Sequence, residues 1–114
     1  MRIQLLDIKT QLKPIRDELL AAVTEVIDST HYIMGNKVEE LEKRISEYCG
    51  TKHAIGVSSG TDAILISLMA MDVKNDDIVI TTPYSFFATT GAIVRVGAVP
   101  AFVDIDPVSY NISP

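Results

Sequence analysis

The sequence predicts an α/β fold built on a mainly parallel or mixed sheet with helices on its faces. Two observations carry this reading. After Gly50 the texture changes from amphipathic to nearly all apolar, as in elements covered on more than one side. Short β-branched runs then alternate with helical runs in the order strand, helix, strand, helix, strand, the signature of a parallel or mixed sheet with helical crossovers.

The elements follow in chain order. Leu12 to Thr30 places Ile15, Leu19, Val23, Val26 and Ile27 at helical spacing, and Pro14 is tolerated if it falls in the first turn. The link His31-Tyr32-Ile33-Met34-Gly35 leads to Asn36, read as the cap of a second helix with Glu39 as the reciprocal half of a capping box. Val38, Leu41, Ile45 and Tyr48 line one face of that helix, Glu39, Glu40, Glu42, Lys43 and Arg44 form a solvated opposite face, and Gly50 supplies the stop. Ala54–Val57 reads as a strand, Ala63–Met71 as a helix apolar almost all round, and Ile78–Thr82 as a second strand ended by Pro83. Phe86–Val94 is a further helix and Val99–Asp104 a third strand.

Composition bounds the function. The chain has 114 residues, 47% of them hydrophobic, enough for one modest core. A net charge of −5 argues against a surface made to hold nucleic acid or anionic lipid. Cys49 is the only cysteine, so no internal disulfide can form and a reducing compartment, the cytoplasm, is the expected location. The first ten residues carry Arg2, Asp7 and Lys9 and do not read as a secretion signal. No run approaches the roughly 18 apolar residues of a membrane span.

Chemistry concentrates in two loops. Val57-Ser58-Ser59-Gly60-Thr61-Asp62-Ala63 is a small-residue turn opening a helix, where backbone amides lack intrahelical acceptors and the dipole favours an anion. The same string is also an ordinary N-cap. In open α/β sheets ligands lie beyond the carboxyl ends of the strands, and Pro83-Tyr84-Ser85-Phe86-Phe87-Ala88-Thr89 is expected on that edge beside the turn. An aromatic ring there suits a flat, phosphate-bearing cofactor, although Phe86 and Phe87 read equally as core residues. Neither a Gly-x-Gly-x-x-Gly turn nor a Gly-x-x-x-x-Gly-Lys loop is present. Asp104 and Asp106 are two carboxylates without a third ligand, so no metal site is expected.

From Tyr32 to Ser113 the chain resembles the amino-terminal part of the sugar aminotransferases of the DegT/DnrJ/StrS family, pyridoxal-phosphate enzymes of the aspartate-aminotransferase fold type. The matching strings are Tyr32-Ile33-Met34-Gly35, Val38-Glu39-Glu40-Leu41-Glu42, Ala54 through Ala63, Ile78 through Thr89, Gly97 through Asp106, and Tyr110-Asn111-Ile112. Asp76 departs from the family, which usually has glycine there. The resemblance implies a three-layer α/β sandwich, of which the chain is a truncated amino-terminal part: 1–35 an amino-terminal helix and link, 36–114 the start of the cofactor-binding domain. It further implies that the Gly60 and Thr61 amides and the Thr61 hydroxyl bind the cofactor phosphate. Phe86 would stack on the pyridine ring, and Tyr32 and Gly35 would lie near the substrate. The implied reaction is amination of a nucleotide-linked keto sugar by an amino acid, glutamate being the expected donor, in a homodimer. Lys9, Lys13, Lys37, Lys43, Lys52 and Lys74 all fall outside the motif that carries the Schiff base, so no catalytic residue is assigned and the 114 residues alone are expected to be inactive. The alternatives are a pyridoxal-phosphate sugar dehydratase, which shares this front portion, and a non-catalytic remnant or interaction protein.

Overall fold

Pro14 shapes the start of the chain. Its missing N–H and fixed φ interrupt what would be one helix, and the result is α1 (Ile8–Leu12), a 3-10 turn at Lys13–Ile15 and α2 (Arg16–Ser29). A computed structural model of the protein describes residues 5–113, which fall into two compact units with the boundary along the chain between Gly56 and Val57.

In the first unit, α2 ends on Thr30 at φ 57°, and α3 spans Asn36–Cys49. The cap of α3 is Gly35 rather than the expected Asn36, which is already helical and makes no capping bond. The Gly35 carbonyl accepts the N–H groups of Val38 and Glu39. Gly50 does stop the helix: at φ 64° its N–H reaches the Ser46 and Glu47 carbonyls, and the Thr51 N–H also donates to Ser46, closing the orphan carbonyls of the last turn. The covered face of α3 differs from the expected one. Val38, Glu42 and Ser46 are half-buried, whereas Leu41, Ile45 and Tyr48 are exposed, because Glu42 turns inward to accept the Gly56 N–H at 2.7 Å.

That bond also bears on Ala54–Val57, which does not form the expected strand. A strand is stable only as part of a ladder. No described strand pairs with this segment, and the Gly56 amide is taken by a carboxylate instead.

The second unit holds the sheet. α4 (Gly60–Ala70) starts three residues before the expected Ala63, since Ser59 caps it, its Oγ accepting the Asp62 N–H at 3.1 Å. β1 (Ile78–Thr81), α5 (Phe87–Arg95) and β2 (Val99–Phe102) form a βαβ unit, with β1 and β2 parallel and Ile78 opposite Val99 through Thr81 opposite Phe102. The core is Leu68 of α4, Ala92 and Ile93 of α5 and Ala98, with Ile64, Leu65, Val73, Val79 and Val96 packed against it. Alternation along β1 turns Val79 and Thr81 toward this core, while Ile78 and Ile80 remain exposed. The unit is thus α/β, a parallel sheet with a helical layer on one face.

One turn shows why the departure at Asp76 is tolerated. Asp76 sits at φ 68°, a left-handed conformation natural to glycine but open to Asp and Asn. Its N–H donates to the Gly97 carbonyl at 3.0 Å. Gly97 itself, at φ 85°, is where a Cβ would lie 2.6 Å from Asn75 Oδ1.

Candidate cofactor site

The Ser58–Asp62 turn is built around one carboxylate. Asp62, in the first turn of α4, accepts the hydroxyl of Ser59 at 3.1 Å and that of Ser58, while donating its own N–H to Ser59 Oγ. Arg95, the last residue of α5, places a guanidinium nitrogen 3.9 Å from the other Asp62 oxygen. The Ser58 hydrogen bond, then that of Ser59, and last the Arg95 charge hold the Asp62 carboxyl below the ordinary 3.8 against the opposing effect of desolvation.

Two donors remain open. The Gly60 and Thr61 amides have no acceptor among the described residues, and a Cβ at Gly60 would meet nothing within 4 Å. Thr61 is half-buried. An anionic group can therefore approach the backbone at the N-terminus of an 11-residue helix whose dipole favours it.

The aromatic loop leaves the carboxyl end of β1. Its backbone is held at several points: the Tyr84 N–H donates to Thr82 Oγ1 at 3.1 Å, Ser85 Oγ and Thr89 Oγ1 share a hydrogen bond at 2.8 Å, and the Thr89 N–H reaches the Phe86 carbonyl at 3.1 Å. Tyr84 stacks on Tyr110, their ring centroids 6.3 Å apart, which ties the loop to the segment after β2. Phe86, the N-cap of α5, keeps its ring 78% exposed. Phe87 is as exposed and lies along its own helix over Gly91. The reading of either ring as core is thereby corrected: both rings are exposed, and the buried residues of α5 are Ala92 and Ile93. The donor pair and the outward ring fit the chemistry of a flat, phosphate-bearing cofactor such as pyridoxal phosphate.

Tyr32 and Gly35 lie in the first unit, together on the wall of a small cleft that also includes Glu25, Ser29 and Lys37. The Tyr32 hydroxyl donates to the Ile27 carbonyl at 3.3 Å. Gly35 is required sterically, for a Cβ would stand 2.5 Å from the His31 carbonyl oxygen. Lys37 bonds Glu25 at 2.8 Å, which raises its pKa, and Lys74 pairs with Asp72 at 2.8 Å. A lysine held protonated in this way is the opposite of an amine poised for nucleophilic attack. The Asp104 and Asp106 carboxylates serve local turns, accepting the N–H groups of Ile105 and of Val108 and Ser109 respectively.

Sequence reasoning did not single out Arg95 or the Tyr84–Tyr110 pair. Only Arg95's position in the last turn of an apolar helix distinguishes it in the sequence, and its partner lies 33 positions away.

A family model for the DegT/DnrJ/EryC1/StrS aminotransferases matches residues 13–114. The chain belongs to this family. Over its whole length it is 46% identical to the pleiotropic regulatory protein of Geobacillus stearothermophilus, of which it covers 31%. Over 98% of its length it is 39% identical to a UDP-2-acetamido-2-deoxy-3-oxo-D-glucuronate aminotransferase of Pseudomonas aeruginosa, again covering 31% of that protein. A solved family structure, NtdA from Bacillus subtilis with bound cofactor PMP, superposes on 86% of the chain at a TM-score of 0.82 and 39% identity, 22% of that protein being covered. The chain spans about a third of the length of the curated relatives it matches. That likeness to family structures gives its fold as part of the α/β architecture these aminotransferases share. Among the described residues no helix is long and apolar enough to cross a membrane.

Proposed function

We propose that this chain supplies the phosphate socket and the ring-stacking face of a pyridoxal-phosphate-dependent aminotransferase. The substrate is a nucleotide-linked keto sugar and the donor an amino acid, glutamate by preference. The observation that carries the proposal is the pair of amides at Gly60 and Thr61, without an acceptor among the described residues, opening a helix in a chain similar to a solved structure with bound PMP. The Gly60 and Thr61 N–H groups and the Thr61 hydroxyl hold the phosphate, each charge-assisted bond contributing about 1.5–3 kcal/mol. Phe86 lies against one face of the heterocycle, fixing its orientation and excluding water from that side. When bound, the cofactor supplies the electron sink that transamination requires.

Tyr32 and Gly35, in the first unit, are the residues assigned to the sugar substrate on the family resemblance alone. The active form is a homodimer located in the cytoplasm. Amination rather than dehydration is favoured because the named aminotransferase relative matches nearly the whole chain.

The test is an absorption titration of the longest natural form of the protein with pyridoxal phosphate, followed by addition of glutamate. Saturable binding with a shifted visible band, and its conversion by glutamate, is expected. Absence of saturable binding refutes the proposal, and binding with turnover of keto sugar to a deoxy product without amine transfer replaces it with a dehydratase.

A further inference from the structure

Both serines of the Ser58–Asp62 turn would be natural phosphate ligands by residue type, yet the structure aims them elsewhere. A serine hydroxyl has one proton to donate. Ser58 and Ser59 each direct theirs at Asp62 Oδ2, and Ser59 Oγ receives the Asp62 N–H in return. Two hydrogen bonds thus converge on the Asp62 carboxylate, and a third from its backbone N–H returns to Ser59, fixing residues 58, 59 and 62 relative to each other. The Gly60 and Thr61 amides between them are left without an acceptor among the described residues.

A carboxylate this near an anion site is an electrostatic cost. Arg95 at 3.9 Å from Oδ1 lies where it offsets that cost, as does the helix N-terminus.

We propose that Asp62 is a positioning residue of the cofactor socket: it draws the two serine hydroxyls onto its own carboxylate and so presents Gly60 and Thr61, rather than the serines, to the phosphate. The inference rests on the pyridoxal-phosphate reading above. It assigns the serines an indirect role, through Asp62, and it makes an acceptor side chain favourable beside the phosphate in spite of its charge.

The experiment is a double-mutant cycle in the longest natural form of the protein, with Asp62→Ala, Ser58→Ala and the pair combined. Dissociation constants are measured for pyridoxal phosphate and for phosphate-free pyridoxal, alongside thermal melting. Asp62→Ala is expected to weaken pyridoxal phosphate binding about tenfold and pyridoxal binding less than twofold. Ser58→Ala is expected to weaken the phosphate form about threefold, and the double variant no more than Asp62→Ala alone. Asp62→Asn, whose amide oxygen still accepts a serine proton, should recover most of the affinity and guards against loss of folding in the alanine variant. Multiplying losses in the double variant would show Ser58 contacting the phosphate directly and overturn the proposal. Unchanged or tighter binding by Asp62→Ala, or equal loss for both ligands, would overturn it as well. If the unaltered protein binds no pyridoxal phosphate, the cofactor reading fails first and takes this inference with it; binding by the unaltered protein with any of the preceding results sinks the role of Asp62 alone.

Discussion

Removing the Phe86 ring should separate cofactor binding from stability. The ring is 78% exposed and caps α5 through its backbone alone. Phe86→Ala should therefore change folding stability by less than about 0.5 kcal/mol, as at other surface sites. The binding term is larger. A phenylalanine presents roughly 200 Å², and a flat ligand over one face would cover about a third of what is exposed, near ~50 Å². At ~25 cal/mol per Å² this gives about 1.3 kcal/mol. Ring-on-ring geometry adds about 0.5–1.5 kcal/mol, and immobilising the side chain removes ~0.5–1 kcal/mol. The net, about 1–2 kcal/mol, corresponds to a loss of five- to thirtyfold in affinity, roughly. The assay is a pyridoxal phosphate titration of Phe86→Ala and Phe87→Ala, each with a melting curve. Phe87, lying over Gly91, should leave affinity within about twofold. Unchanged affinity for Phe86→Ala, or a larger loss for Phe87→Ala, would refute the stacking assignment.

Thr61→Ala should weaken pyridoxal phosphate by about ten- to a hundredfold, the worth of one hydrogen bond to a charged group, with pyridoxal scarcely affected; equal losses in parallel titrations would contradict the phosphate role. Gly97→Ala forces a side chain onto φ 85° and toward Asn75, so it should destabilise the protein by about 2–3 kcal/mol, read as a fall in the urea midpoint by circular dichroism. A shift under about 0.5 kcal/mol would mean that the turn yields. The Asp62 carboxyl is held below 3.8 in the folded state, so its contribution is present above that value and disappears as pH falls through the folded pKa. Asp62→Asn should accordingly flatten part of the acid limb of a stability–pH curve below about pH 4, and an unchanged acid limb would show that the serine bonds contribute nothing.

Elements whose signal is local were legible. The periodicity and the glycine stop gave α3 its end at Gly50, and the apolar runs broken by Asp76-Asp77 and Pro83 gave β1, α5 and β2 to within two residues at each end. The turn and the loop were read from the residues, and the family resemblance singled out Gly60, Thr61 and Phe86 within them; the first two stand at a helix N-terminus with amides that find no acceptor among the described residues. Ala54–Val57 was misread because its composition suits a strand while strandedness depends on a partner. Glu42 was placed with the solvated residues because its bond to Gly56 joins positions 14 apart.

By itself, then, the order of residues determined that α2 to α5 and the strands β1 and β2 exist and where the two loops fall, because propensity, capping and periodicity act over a few neighbours along the chain. Only the folded molecule decided that Phe86 faces outward, that Asp62 collects two serines and an arginine, and that Gly35 and Gly97 cannot carry a side chain. These depend on approach between segments distant in sequence, and steric exclusion and hydrogen-bond competition at such contacts exist only once the backbone has brought them together.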